Sequence, residues 1–126
     1  MRFLTMVKSK EPCGQPPQAL MDAIAKLGAE SFQSGKMVET GGLLPTQMGA
    51  KVRLQDGKIT VTDGPFTEAK EVVGGYAIFE VPSKKEAIEE TVKFMQLHKD
   101  HWPEWEGETE VRPMFVVPEF TAPSKR

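Results

Sequence analysis

The sequence predicts an α+β fold in which two helices cover one face of an antiparallel sheet. Apolar residues recur with helical spacing in residues 18–34 and again in residues 83–101, and apolar runs suited to strands flank both segments. Between the two halves, Asp56-Gly57 joins two alternating runs, as in two-residue hairpins. Without that hairpin, Ala50–Thr62, two βαβ halves remain. This is the split βαβ sheet of a ferredoxin-like fold, here with an inserted hairpin.

The first half of the chain is predicted as strand, loop, helix and strand. Residues 1–7 form an apolar, strand-like run, and the Pro- and Gly-rich residues 11–17 form a loop. The helix begins at Gln18 and stops at Gly35, and residues 36–44 form a second strand that the Gly41-Gly42 pair weakens. The helix's predicted buried stripe is Leu20, Ile24, Leu27 and Ser31, with Met21, Gly28 and Phe32 beside it.

The second half follows the hairpin with a strong strand, a helix and a last strand. The strand is Val72–Val81, and the helix opens at Ser83, because Ser83 and Glu86 have capping-box spacing. Pro103 disfavours helical dihedrals in the preceding residue, so the helix ends within residues 100–102, and Thr109–Val117 forms the last strand. The predicted buried stripe of the second helix is Ala87, Ile88, Thr91, Val92 and Met95.

Length, charge and cysteine content limit the class of protein. With 126 residues the chain is predicted to be one domain, residues 1–120, followed by a frayed tail at residues 121–126. A formal net charge of -2 argues against direct nucleic-acid binding, and no apolar run is long enough to span a membrane. Because Cys13 has no second cysteine to pair with, we expect a reducing compartment and a cytoplasmic protein.

The predicted sheet has more apolar residues than one helix-covered face requires. A second sheet packed face to face would bury this surplus, so the sequence predicts a homodimer. The residues that make up this surplus are Val72, Tyr76, Ile78, Val111, Met114 and Phe115.

The segment Asp63-Gly64-Pro65-Phe66, followed by TEAKE and the Gly74-Gly75-Tyr76 strand, resembles the signature of the DGPF proteins in the YCII-related family. GKMVETGGL, RLQDGKITVTDGPF, VPSKKEAIE and EVRPMF extend this resemblance over nearly the whole chain. It implies a bacterial protein with a dimeric α+β barrel. Some relatives are proposed to be enzymes with a His-Asp pair, and others accompany alternative sigma factors, which implies a sigma-factor-related partner. The first helix has no histidine. The position that the family's histidine would take lies near Ile24, so the His-Asp pair does not carry over to this chain.

Asp63 and His101 are the candidate catalytic residues. Asp63 begins a tight turn, where a carboxylate either accepts backbone amides two residues on or acts as a general base. His101 stands beside Trp102 and Trp105, in a segment that resembles one subgroup of DGPF proteins. This aromatic-flanked imidazole either forms the wall of a pocket or belongs to a hydrophobic lid that packs the end of the barrel.

Glu39, Tyr76, Arg112 and Trp102 are the candidate ligand-binding residues. The first three lie on three predicted strands, and together they would bind a small polar or anionic molecule if the strands bring them to one face. Their facing stays open at this point, because a shift of one residue in register sends each side chain to the opposite side.

No cofactor and no metal are predicted. His98 and His101 are three residues apart, near Glu104 and Glu108, but two ligands at this spacing are a weak metal signal, and histidines also suit a helix C-terminus. The sequence favours a homodimer that binds a small polar molecule in a barrel cleft. The sigma-factor context of relatives implies a regulatory role linked to transcription. The alternatives are an enzyme that uses acid-base chemistry and a purely structural interaction protein.

Overall fold

The computed structural model describes residues 1–115; the predicted strand end at residues 116–117 and the predicted tail at residues 121–126 lie outside the described residues. Two helices and six strands form this part of the chain. In chain order they are β1 (Arg2–Ser9), α1 (Gln18–Gln33), β2 (Met37–Gly42), β3 (Ala50–Gln55), β4 (Lys58–Asp63), β5 (Val72–Glu80), α2 (Lys84–His101) and β6 (Gly107–Met114), with a short 3-10 turn at Thr46–Met48.

Four strands form the main sheet in the order β2-β5-β1-β6, and all neighbouring pairs are antiparallel. The predicted α+β architecture is therefore confirmed, and the strand order is consistent with a ferredoxin-like fold. The hairpin is confirmed at Asp56-Gly57, where both residues have the positive φ that a primed two-residue turn requires. Ser83 caps α2 as predicted, since its hydroxyl accepts the Glu86 amide at 3.3 Å.

Both helices pack on one face of the main sheet, with the hydrophobic core between the layers. The buried core is Phe3, Met37, Phe79, Val81 and Ala87, with Ala77 and Val111 packed against it. Leu20 of α1 is also fully buried. Gly28 of α1 faces Met37 of β2, where a β-carbon would make an ordinary van der Waals contact at 3.6 Å.

The buried side of α2 differs from the predicted stripe. Ile88 and Val92 are exposed, whereas Glu90 and His98 are buried. The helix is rotated about its axis so that the face of Ala87, Thr91 and His98 points to the sheet. Two adjacent stripes of α2 were compatible with its sequence, and packing against β1 and β6 selects the more polar one.

Two of the six residues counted as apolar surplus lie on the inner face of the sheet. Val111 packs against the core under the helices. Val72 pairs with the buried Ser9, because the register between β1 and β5 shifts after Val7, leaving Gly74 as an extra residue on β5. Because side chains alternate between the two faces of a strand, the extra residue moves the side chains that precede it on β5 to the opposite face. Tyr76 and Ile78 pair with Met6 and Leu4 and lie on the outer face.

The hairpin β3-β4 is a separate two-stranded sheet with one apolar face and one polar face. The apolar face consists of two cross-strand pairs, Val52 with Val61 and Leu54 with Ile59, and each of these side chains is 68–72% exposed. An isolated hairpin is at best marginally stable in water, so this face is suited to being covered.

The Asp63-Gly64-Pro65-Phe66 turn attaches the hairpin to the 3-10 turn at residues 46–48. The Gly64 amide donates to the Gly49 carbonyl at 2.9 Å, and the Phe66 amide donates to the Thr46 hydroxyl at 3.0 Å. The expectation that Asp63 accepts the turn's amides is therefore wrong, because residue 65 is a proline without an N–H and residues 46 and 49 accept the other two.

We predict that Gly64→Ala destabilises the protein and that Asp63→Ala does not. A β-carbon at position 64 would lie 1.6 Å from the Thr46 carbonyl oxygen, so the backbone must move, which should lower the free energy of unfolding by about 2 kcal/mol or more. The Asp63→Ala control should stay within about 0.5 kcal/mol of wild type. Denaturant unfolding checks both values. If Asp63→Ala lowered the free energy of unfolding more than Gly64→Ala, Asp63 would have the structural role in the turn that the sequence predicted.

Candidate functional site

A cavity of about 410 Å³ lies between the helices and the inner face of the main sheet. Glycines form part of its floor. Gly42 of β2 pairs with Gly75 of β5, and Gly75 pairs with Val7 of β1, so the two glycines share the inner face with Val7. A β-carbon on Gly42 would meet no atom within 4 Å. These two glycines leave space because neither carries a side chain toward the helices.

The walls of the cavity are mainly apolar, with a small number of polar groups. Glu90 is the one Asp, Glu, Lys or Arg residue among the described residues that line it. Ser9, Ser31, Thr5, Thr91, Thr109 and His98 supply the principal hydroxyls and the imidazole. This combination of an apolar wall and a few placed polar groups is typical of small-molecule sites, and the volume falls within their usual range.

His98 lies at one end of the cavity, between two aromatic rings. Its ring centroid is 4.7 Å from that of Phe94 and 4.5 Å from that of Trp105. Trp105 folds back over β6 because residue 107 is a glycine: a β-carbon there would lie 2.5 Å from the indole ring. The segment after α2 thus packs against the end of the cavity through Trp105.

The tautomer of His98 follows from its backbone contact. Nδ1 lies 3.1 Å from the Phe94 carbonyl oxygen, which can only accept, so Nδ1 donates and Nε2 is left unprotonated in the neutral ring. The side chain is buried, and this desolvation lowers the pKa of His98 below its ordinary value of 6.5, although the hydrogen bond to Phe94 opposes the shift. The ring is therefore neutral at pH 7.

Glu39, Tyr76 and Arg112 lie on the outer face of the sheet, away from the helices. The Tyr76 hydroxyl donates to Glu39 at 2.5 Å, and this bond is the main cause that raises the pKa of Tyr76. Arg112 belongs to the same row of residues as Glu39, but β5 and β1 lie between their strands, a separation of roughly 14 Å. Arg112 instead pairs with Glu110 at 2.9 Å. The structure joins Glu39 to Tyr76 but not to Arg112.

The other candidate residues lie apart from one another. Trp102 stacks on Trp105 with ring centroids 6.2 Å apart, and it is not among the residues that line the cavity. His101 is exposed at the last position of α2, and Asp63 is exposed at the end of β4. Neither lines the cavity, so their catalytic roles stay a prediction.

Over residues 1–115, no three His, Cys, Asp or Glu side chains come together in a way that could hold a metal ion. Neither α1 nor α2, the helices of that part, is long and apolar enough to cross a membrane.

Sequence reasoning did not select His98 or Gly42. Both carried a signal: His98 lies seven residues after Thr91, on the same side of α2, and Gly42 adjoins a second glycine in a strand. The rotation of α2 and the pairing that sets Gly42 beside Gly75 could not be predicted from the sequence.

The fold and the cavity define a small α+β protein with a site of ligand size between its helices and its main sheet. The model of the YCII-related domain family matches residues 1–100, and the chain belongs to this family, which is also known as DGPF. The chain is also similar to an uncharacterized protein, R00369, of Rhizobium meliloti (strain 1021), with 29% identity over 72 residues. The match covers 57% of this chain and 58% of that protein's length.

We predict that His98 makes folding stability depend on pH. Its pKa is lower in the folded state than in the unfolded chain, so the unfolded state binds the proton more readily. The stabilisation is complete above about pH 6.5 and is lost as the pH falls toward the lower folded value. The melting temperature of wild type should therefore drop more between about pH 7.5 and pH 5.5 than that of His98→Phe. His101→Phe, at an exposed position of the same helix, should keep the wild-type dependence. Equal drops in wild type and His98→Phe would contradict the prediction.

Proposed function

We propose that this protein is a homodimeric binding protein that holds a small, largely apolar molecule in the cavity between its helices and its sheet. The single observation that carries the proposal is the cavity of about 410 Å³. Protein interiors are close-packed, and voids larger than a few water molecules are uncommon in them. An unfilled space of this size forfeits packing contacts, which a bound molecule would restore.

The site differs in character from the one expected from the sequence. The predicted polar or anionic ligand relied on Arg112, whose guanidinium pairs with Glu110 on the outer face. Lys8, the other cation paired with Glu110, lies on that face too, with its Nζ 2.5 Å from the carboxylate. No Lys or Arg in the described residues lines the cavity, so the inner site offers an anion no counter-charge.

Filling the cavity should abolish binding. Gly42→Leu places a side chain over the open floor without a backbone clash, since no atom lies within 4 Å of a β-carbon there. Uncharged fragments no larger than two fused six-membered rings, screened by ligand-observed NMR, should bind wild type and lose binding in Gly42→Leu. Gly42→Ala, which adds only one carbon, serves as the control and should retain most of the fragment binding. Fragments that bind Gly42→Leu as well as wild type would place binding elsewhere, and the absence of any binding fragment would refute the proposal.

We propose further that a second copy covers the outer face of the main sheet. Leu4, Met6 and Ile78 form an apolar centre on this face, where Leu4 pairs directly with Ile78. Their charged neighbours are paired, Lys8 and Arg112 with Glu110, so few unpaired charges would enter an interface. The exposed apolar face of the hairpin offers a second surface for such a contact.

Light scattering of wild type should give about twice the chain mass of 14.0 kDa. Ile78→Lys should shift the protein toward the monomer, because an unpaired charge is costly to bury at an apolar interface. Thr60→Lys, on the polar face of the hairpin, is the control and should stay dimeric. Dissociation by Leu54→Lys but not by Ile78→Lys would move the interface to the hairpin, and a monomeric wild type would refute the dimer.

An enzymatic role by acid-base chemistry is the second candidate. The observation that favours it is the unprotonated Nε2 of His98, a proton acceptor at the cavity. A regulatory role and a sigma-factor-related partner stay predictions from the family resemblance.

A further inference from the structure

The hydroxyl groups that line the cavity have mostly used their protons within the protein. Thr5 donates to the Ala77 carbonyl at 3.1 Å, and Thr91 donates to the Ala87 carbonyl at 2.8 Å. Thr109 donates to the sulfur of Met95 at 3.2 Å. A hydroxyl has one proton and two acceptor lone pairs, so these three groups can only accept a hydrogen bond from a ligand. Ser9 and Ser31 keep both roles.

His98 presents a further acceptor. Its Nδ1 is held by the Phe94 carbonyl, and Nε2 makes no hydrogen bond with any described residue. Yet every fully buried polar side-chain atom in residues 1–115 has a partner. Nε2 must therefore border accessible space, although the whole residue is only 7% exposed. His98 is among the residues that line the cavity.

The charge at the cavity disfavours both kinds of ion. Glu90 is an acceptor only, and its Oε2 is already paired with Lys93 at 2.9 Å and with Lys36 at 3.5 Å. A cationic ligand would thus find its counter-charge shared with two lysines, and an anion would find no cation on the lining. Desolvating an ion without a partner costs far more than desolvating a neutral molecule.

We infer that the cavity takes an uncharged aromatic molecule with an O–H donor, and that this O–H binds Nε2 of His98. The inference rests on the proposed binding function and names its ligand class. Phe94 and Trp105 flank the imidazole, so a planar ring that approaches Nε2 meets aromatic faces at this end of the cavity. A phenol supplies the ring and the donor together. An apolar ring without the donor leaves Nε2 unpaired, which costs affinity.

The test compares 2-naphthol with 2-methoxynaphthalene, which has the same ring but no O–H. Wild type should bind 2-naphthol about 10-fold more tightly by calorimetry, since one hydrogen bond to a buried acceptor distinguishes the two. His98→Phe should bind both with similar affinity, because the acceptor is gone while the apolar walls remain. His101→Phe, exposed on the same helix, should keep the wild-type preference.

The outcomes distinguish a failure of the inferred ligand class from a failure of the proposed binding function. If wild type binds both probes equally, the inference is wrong but the binding function stands; if it binds neither, the binding function falls as well. Tighter binding of 2-naphthoate than of 2-naphthol would overturn the uncharged class. A preference for 2-naphthol that persists in His98→Phe would show that His98 is not the acceptor.

A direct measurement on wild type covers the case in which His98→Phe does not fold. Long-range ¹H–¹⁵N spectra of the imidazoles should show the Nε2 resonance of His98 move on addition of 2-naphthol while that of His101 stays in place. A His98 Nε2 resonance that does not move at saturating 2-naphthol would overturn the inference.

Discussion

The pairing of Gly42 with Gly75 is the constraint on which the interior of this protein depends. Between the layers of an α+β fold, the side chains of the inner sheet face normally fill the space under the helices. Two paired glycines remove those side chains at one place. The helices are held apart by the larger residues around it, such as Met37 and Phe79, so a cavity remains where the glycines lie.

The rotation of α2 decides what that cavity contains. A helix that buried Ile88 and Val92 would have presented hydrocarbon there, whereas the observed rotation turns Glu90 and His98 inward. Buried polar groups are costly unless they are satisfied. Glu90 meets this requirement through two lysines, and His98 does so at Nδ1 only, through the Phe94 carbonyl. The incomplete satisfaction of His98 gives the apolar space its chemical selectivity.

The motif by which the family is recognised has a structural role in this chain. Gly64 allows the turn to approach the Thr46 carbonyl, and Phe66 donates its amide to the Thr46 hydroxyl. Thr46 in turn binds Glu11, which lowers the pKa of that carboxyl and ties the first loop to the same point. None of Glu11, Thr46, Gly64 and Phe66 lines the cavity, so the most recognisable segment and the candidate site lie in different parts of the fold.

The sequence by itself determined the features that depend on neighbouring residues. The start of α1 at Gln18, the turn at Asp56-Gly57 and the cap at Ser83 each follow from local backbone and hydrogen-bonding preferences, and each is present. The tertiary structure alone decided which stripe of α2 is buried, on which face Val111 lies, and that Glu39 meets Tyr76 but not Arg112. These outcomes depend on strand register, on the extra residue at Gly74 and on helix rotation. All three are set by packing between segments that are distant in sequence, where a shift of one residue reverses the face of a side chain.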